Sequence, residues 1–153
     1  MNPLKELQQY GQSIYLDEIR RSWIHDGQLQ RLIDEDGLRG VTSNPAIFQK
    51  AIAKSNDYDA AIAQHARQGD SALATYENLM VTDIQNAADL FRPMFDASGG
   101  GHGFVSLEVS PELAHDEEGT VQEGLRYWRW LARPNTFIKV PATAAGIPAI
   151  RRL

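Results

Sequence analysis

Apolar and polar positions alternate with a period of two in several short stretches of the chain, the spacing of a strand with one face toward a core. In QSIYLD (12–17) Ile14 and Leu16 oppose Ser13, Tyr15 and Asp17. In GFVSLEV (103–109) Val105, Leu107 and Val109 oppose Phe104, Ser106 and Glu108, and in TFIKVP (136–141) Ile138 and Val140 oppose Phe137 and Lys139. GLRGVTSN (37–44) is less regular, with Val41 opposing Thr42 and Asn44. Each of the three regular stretches has an aliphatic face and a second face that turns polar toward its C-terminal end.

Helical spacing fills the intervals. Residues 18 to 36 carry Ile19, Trp23, Ile24, Leu29, Leu32 and Ile33 at helical intervals, and Gly37 suits a C-terminal stop. Pro45 fits the first turn of a further helix bearing Ile47, Phe48 and Ile52. A longer pattern from about Asp70 runs through Leu73, Tyr76, Leu79, Leu90 and Phe91 and is expected to end or kink at Pro93. Thr120 and Glu123 form a T-x-x-E capping box ahead of Leu125, Trp128 and Leu131, and Pro134 marks the end of that helix.

Strands alternating with helices predict parallel strands joined by helical crossovers. From Asp17 to Asn44 is 27 residues and from Glu108 to Lys139 is 31, each close to one βαβ step of about 30 residues. The 64 residues from Asn44 to Glu108 leave room for extra helices. Central strands of a doubly wound sheet are apolar on both faces, whereas a closed barrel turns one face inward and gathers polar residues at its strand C-termini. The one-sided pattern therefore predicts an α/β fold of the (β/α)8 barrel type. Such a barrel takes about 250 residues, and this chain has 153, stopping at AGIPAIRRL in the first turn of a helix. About four βα units, half a barrel forming one truncated domain over residues 1–153, is the expectation.

Composition changes the picture little. The chain is 42% hydrophobic and 23% charged, with 15 Lys plus Arg against 20 Asp plus Glu and a formal charge of −5. That mild acidity offers no clustered basic face for nucleic acid. Cysteine is absent, which excludes disulfides and thiolate chemistry and fits a reducing compartment. No window reaches the roughly 18 apolar residues of a membrane span, and the N-terminus lacks a leader pattern, so a cytoplasmic protein is expected.

Chemistry enters through one residue. Lysine is almost never fully buried without a partner or a task, yet Lys139 lies mid-strand. If the four strands are neighbours, Asp17, Thr42, Asn44, Glu108 and Lys139 converge at one mouth. A lysine amine attacks a ketone only when neutral, and burial between aliphatic strands favours that form. Imine formation needs proton transfers to expel water, and cleavage of a carbon–carbon bond needs a base for the substrate hydroxyl; two carboxylates in different surroundings can divide this work. Other readings stand beside this one. Lys139 and Glu108 could form a structural ion pair, Asp17–Glu18 could favour a helix N-terminus, and Asn44–Pro45 could simply begin a helix. His25, His65, His102 and His115 have no metal-like spacing and read as surface residues. The glycines of ASGGGHGF precede a strand rather than leading from a strand into a helix, so they read as a flexible loop rather than a phosphate cradle. Trp23, Trp128 and Trp130 read as packing residues.

The segments QSIYLDEIRR, GLRGVTSNPAIF, GFVSLEVSP and RPNTFIKVPAT together, from about residue 10 to 150, resemble transaldolase. The subgroup is the one whose second motif reads G-V-T-S-N-P, some members of which are fused to a glucose-6-phosphate isomerase domain. The resemblance implies a cytoplasmic pentose phosphate pathway enzyme with a (β/α)8 barrel and no cofactor or metal. It would move a dihydroxyacetone unit from sedoheptulose 7-phosphate or fructose 6-phosphate to an aldose phosphate. Carried over by motif, Lys139 is the imine-forming residue, Asp17 the base for bond cleavage, and Glu108 acts through a water in imine formation. Thr42 and Asn44 contact substrate hydroxyls, and Ser106, on the inward face of the same strand as Glu108, joins them as a substrate-binding candidate. Later strands of a transaldolase hold the substrate phosphate and position the catalytic water, and this chain stops before them, so it reads as an N-terminal portion or a truncated product. A fructose-6-phosphate aldolase, or an inactive half-barrel that self-associates through its open edges, are the alternatives.

Overall fold

The computed structural model describes residues 2–153. Four parallel strands, β1 (Tyr15–Leu16), β2 (Gly40–Val41), β3 (Phe104–Glu108) and β4 (Thr136–Lys139), form one sheet in the order β1-β2-β3-β4. Parallel neighbours in chain order, each step crossing through helices, are the arrangement of a (β/α)8 barrel, of which these are four units. All four expected strands are present, each shorter than its alternating stretch. Within β2, a Cβ on Gly40 would clash with the Tyr15 ring. The missing side chain lets the tyrosine of the neighbouring strand lie across this one.

The first crossover departs from a single helix over 18–36. It is α2 (Arg21–His25) followed by α3 (Gln28–Asp36). Gly27, at φ +86°, turns the backbone left-handed between them, and Asp26 Oδ1 accepts from the Gln28 amide at 2.9 Å. Gly37 ends α3 at φ +71°, as expected of it.

The second crossover holds three helices, α4 (Pro45–Ala53), α5 (Asp59–Gln68) and α6 (Ala72–Ala97); a short α1 (Pro3–Glu6) precedes β1. The helix α6 does not end at Pro93; it runs four residues further, to Ala97. Pro93 and Asp89, whose carbonyl loses its amide partner, both face solvent, where water can take the free acceptor. The added turn carries Phe95, which packs edge-on against Phe104 with centroids 5.3 Å apart.

In the third crossover, α7 (Glu117–Leu131), Thr120 is not the N-cap. Asp116 is: its Oδ1 accepts from the Gly119 amide at 3.0 Å. Thr120 instead sits inside the helix and donates to the Leu113 carbonyl at 2.9 Å, and Glu123 reaches back to accept from the Ser110 amide. A final helix, α8 (Gly146–Arg152), follows β4.

The core lies between the sheet and the helices that cover its outer face. Val41, Val105 and Leu107 are essentially inaccessible and cluster with Phe48, Ile84, Ala87, Ala88, Phe91 and Leu131. One charge is sealed into this layer. Asp83 of α6 is 0% exposed, accepts from Arg21 Nε at 2.7 Å and from the Tyr58 hydroxyl at 2.8 Å. The Arg21 guanidinium also lies 4.4 Å from the Tyr58 ring centroid. Burial, with the adjacent Asp83 charge, pushes the Tyr58 phenol up, so it stays protonated and donates.

Trp23 and Trp130 pack against the core as expected, but Trp128 is 47% exposed and lines a groove beside β4. His102, expected at the surface, is partly covered. Its Nε2 lies 2.9 Å from Arg39 and its Nδ1 3.1 Å from the Ser13 hydroxyl, pinning the glycine-rich turn under the sheet.

Candidate active site

The inner face of the sheet differs from the outer one. It is floored by aromatic rings: Phe104 stacks on Phe137 with centroids 4.0 Å apart and planes at 14°, and Tyr15 covers Gly40. Above these rings, at the C-terminal strand ends, stand the polar residues.

Register brings them into pairs. Glu108 and Lys139 are direct partners between β3 and β4, and Lys139 Nζ lies 3.2 Å from Glu108 Oε2. Leu16 and Val41 are partners between β1 and β2. One residue further on, the Thr42 hydroxyl donates to Asp17 Oδ1 at 2.6 Å. Lys139 Nζ also donates to the Ser43 carbonyl at 2.9 Å, so the second strand end touches both pairs.

Burial of Lys139 differs from the expectation. Its side chain is 36% exposed and that of Glu108 22%, because the inner face is open to solvent above the aromatic floor. Lys139 is held by a carboxylate and a carbonyl rather than enclosed by aliphatic side chains.

Two candidates are less free than alternation suggested. Asn44 Oδ1 accepts from the Ile47 amide at 2.9 Å and caps α4, which leaves its amide nitrogen to meet a ligand. The helix-start reading of Asn44–Pro45 is therefore correct, and compatible with a second role. Ser106 is 4% exposed and lies below the polar pairs; its carbonyl accepts from the Ser43 hydroxyl at 2.7 Å. Ser43 itself is 0% exposed and carried no signal in the alternation, because its contact with the lysine runs through its main chain.

Support continues behind β3. Glu77 receives two hydrogen bonds from Arg126, and one from the Tyr127 hydroxyl at 3.0 Å. The Arg126 contacts, with Tyr127, hold the Glu77 carboxyl below the usual carboxylate range. Arg126 is also 3.6 Å from Glu123, which carries the Ser110 amide just past Glu108. The chain leaving Glu108 is thereby fixed.

A carboxylate–amine pair beside a carboxylate–hydroxyl pair on adjacent strand ends is an arrangement able to form and resolve an imine. The family described as Transaldolase/Fructose-6-phosphate aldolase matches residues 14–153. Among curated relatives, "Transaldolase 2" of Nostoc sp. (strain PCC 7120 / SAG 25.82 / UTEX 2576) is 44% identical over 153 residues, covering 100% of this chain and 40% of its own length. "Transaldolase" of Mycobacterium marinum is 45% identical over 150 residues, covering 97% of this chain and 40% of the relative. "Transaldolase" of Thiobacillus denitrificans is 45% identical over 153 residues, covering 100% of this chain and 43% of the relative. The chain thus spans about 40% of the length of the relatives it matches.

Proposed function

This chain belongs to the transaldolase/fructose-6-phosphate aldolase family, and on that premise we propose that it carries the imine-forming half of a transaldolase active site. The observation that supports this most is the Lys139 amine, 3.2 Å from the Glu108 carboxylate and one strand end away from the Asp17–Thr42 pair. In this reading Lys139 Nζ attacks the ketone carbon of a sugar phosphate. Glu108, through a water, takes the proton the amine sheds and returns one as the carbinolamine loses water. Asp17 then accepts the proton of the substrate hydroxyl as the carbon–carbon bond breaks and an aldose phosphate departs. The three-carbon enamine left on Lys139 attacks the next aldose phosphate, and the same proton transfers run in reverse. Thr42, the Asn44 amide nitrogen and Ser106 contact substrate hydroxyls. The proposed work is that of the pentose phosphate pathway, in the cytoplasm.

Asp17→Ala is expected to lower transfer from fructose 6-phosphate to an aldose phosphate by about 10² to 10⁴-fold while leaving imine formation on Lys139 intact. Equal loss of both steps would remove Asp17 from bond cleavage. Measuring free dihydroxyacetone separates transaldolase from simple aldolase: transfer without release is the expected result.

A second reading concerns the 153 residues by themselves. β1 and β4 are the edges of the sheet, and Trp128, Phe137, Ile150 and Leu153, each 44–50% exposed, line the groove beside β4. Open edges with apolar flanks pair with other chains, so the isolated 153-residue chain is expected to self-associate and to lack turnover. Sizing chromatography with an activity assay checks this, and a monomer with full turnover would contradict it.

A further inference from the structure

We infer that Ser43 is a positioning residue for Lys139, its hydroxyl anchoring the peptide whose carbonyl aims the amine. The inference rests on the imine-forming reading above and adds a residue to it. The Ser43 carbonyl belongs to the peptide linking Ser43 to Asn44, and that peptide is held from both sides. On one side the Ser43 hydroxyl donates to the Ser106 carbonyl at 2.7 Å, two residues past the last paired position of β2. On the other, the Asn44 side chain is fixed by capping α4 through the Ile47 amide at 2.9 Å. The side chain of Ser43 is sealed, at 0% exposure, so water does not compete for its hydrogen bond.

The consequence lies at the amine. Nζ is tetrahedral, with one direction occupied by Cε. The Ser43 carbonyl, hydrogen-bonded at 2.9 Å, takes a second, and the Glu108 carboxylate, with Oε2 3.2 Å away, lies alongside as the counter-charge. The hydrogen bond to Ser43 restricts rotation about the Cδ–Cε and Cε–Nζ bonds, and with it the directions the lone pair can take once the amine is neutral. Orientation of this kind raises the rate of attack without adding affinity for substrate. Without the Ser43 hydroxyl the carbonyl loses one of its two anchors, and Glu108 alone leaves the amine free to rotate.

The test is steady-state kinetics with fructose 6-phosphate and an aldose phosphate acceptor, on the protein at the length its source makes. Ser43→Ala is expected to lower kcat by roughly ten- to a hundredfold with KM within about twofold, since the interaction acts on orientation rather than on binding. Ser43→Thr, which keeps the hydroxyl, is expected to restore kcat to within about threefold of the parent. If Ser43→Ala does not fold, Ser43→Cys, close in volume and a weak donor, is read the same way. An unchanged kcat, a KM that rises in step, or a loss in Ser43→Thr as large as in Ser43→Ala would overturn the inference. Borohydride labelling separates its failure from that of the underlying reading. A parent protein that forms no adduct on Lys139 defeats both. A labelled parent whose Ser43→Ala variant has unaltered kinetics defeats the Ser43 role alone.

Discussion

Replacing Lys139 by methionine is expected to remove transfer activity by at least about 10⁴-fold, because the thioether cannot attack the ketone to form an imine. Methionine keeps the length and the apolar stem, so it still covers the inner face beside Phe137. It leaves Glu108 without its cation, but the glutamate side chain is 22% exposed and water can solvate it. The fold should therefore survive. Lys139→Arg sharpens the result, since arginine keeps the ion pair with Glu108 while its guanidinium is always protonated and does not attack carbonyls. A structural ion pair would tolerate arginine; an imine former would not. Activity measured beside a far-ultraviolet spectrum decides between the two, and activity within about tenfold of the parent in either variant would refute the assignment.

The largest effect on stability is expected at Asp83, well away from the reacting atoms. Asp83→Ala leaves the Arg21 guanidinium, whose side chain is 13% exposed, without its counter-charge, and the inaccessible Tyr58 hydroxyl without an acceptor. Removing one partner of a buried ion pair typically costs about 3–5 kcal/mol, against a total stability of about 5–15 kcal/mol for a domain. Chemical denaturation is the measure, and a loss under about 1 kcal/mol would mean that the pair is not sealed as described. Asp83→Asn should lose less, because its side-chain oxygen still accepts from Arg21. The connection to function is geometric. Arg21 opens the helix that follows Asp17, and Asp83 sits on α6, whose Phe91 and Ile84 carry the outer face of β2 and β3.

Much of this arrangement can be read from period and spacing. The alternation in GFVSLEV and TFIKVP places Glu108 and Lys139 on one face, and their strand register then makes them direct partners. Asp17 and Thr42 meet for the same reason, one position past a paired rung. What alternation cannot carry is anything that depends on a single backbone angle or a main-chain atom. Gly27 splits the first crossover because of a left-handed turn, not because the apolar spacing changes. Pro93 stays inside α6 because its freed carbonyl partner faces water and Phe95 packs beyond it. Asp116 displaces Thr120 as the cap because it stands one turn earlier with the same chemistry. Ser43 escapes notice altogether: its side chain points away from the site, and only the carbonyl of its peptide reaches Lys139. The exposure of Lys139 was likewise invisible, since the pattern of one strand says which face a residue takes but not what lies across from it.

A covalent imine at Lys139 is detected most directly by reductive trapping. The protein, at the length its source makes, is incubated with fructose 6-phosphate and borohydride, digested, and mapped by mass spectrometry. The expected result is a single adduct carrying a dihydroxyacetone-derived unit on the peptide containing TFIKVPAT, at Lys139, and none in Lys139→Met. An adduct on another lysine, or none on a folded protein, would contradict it.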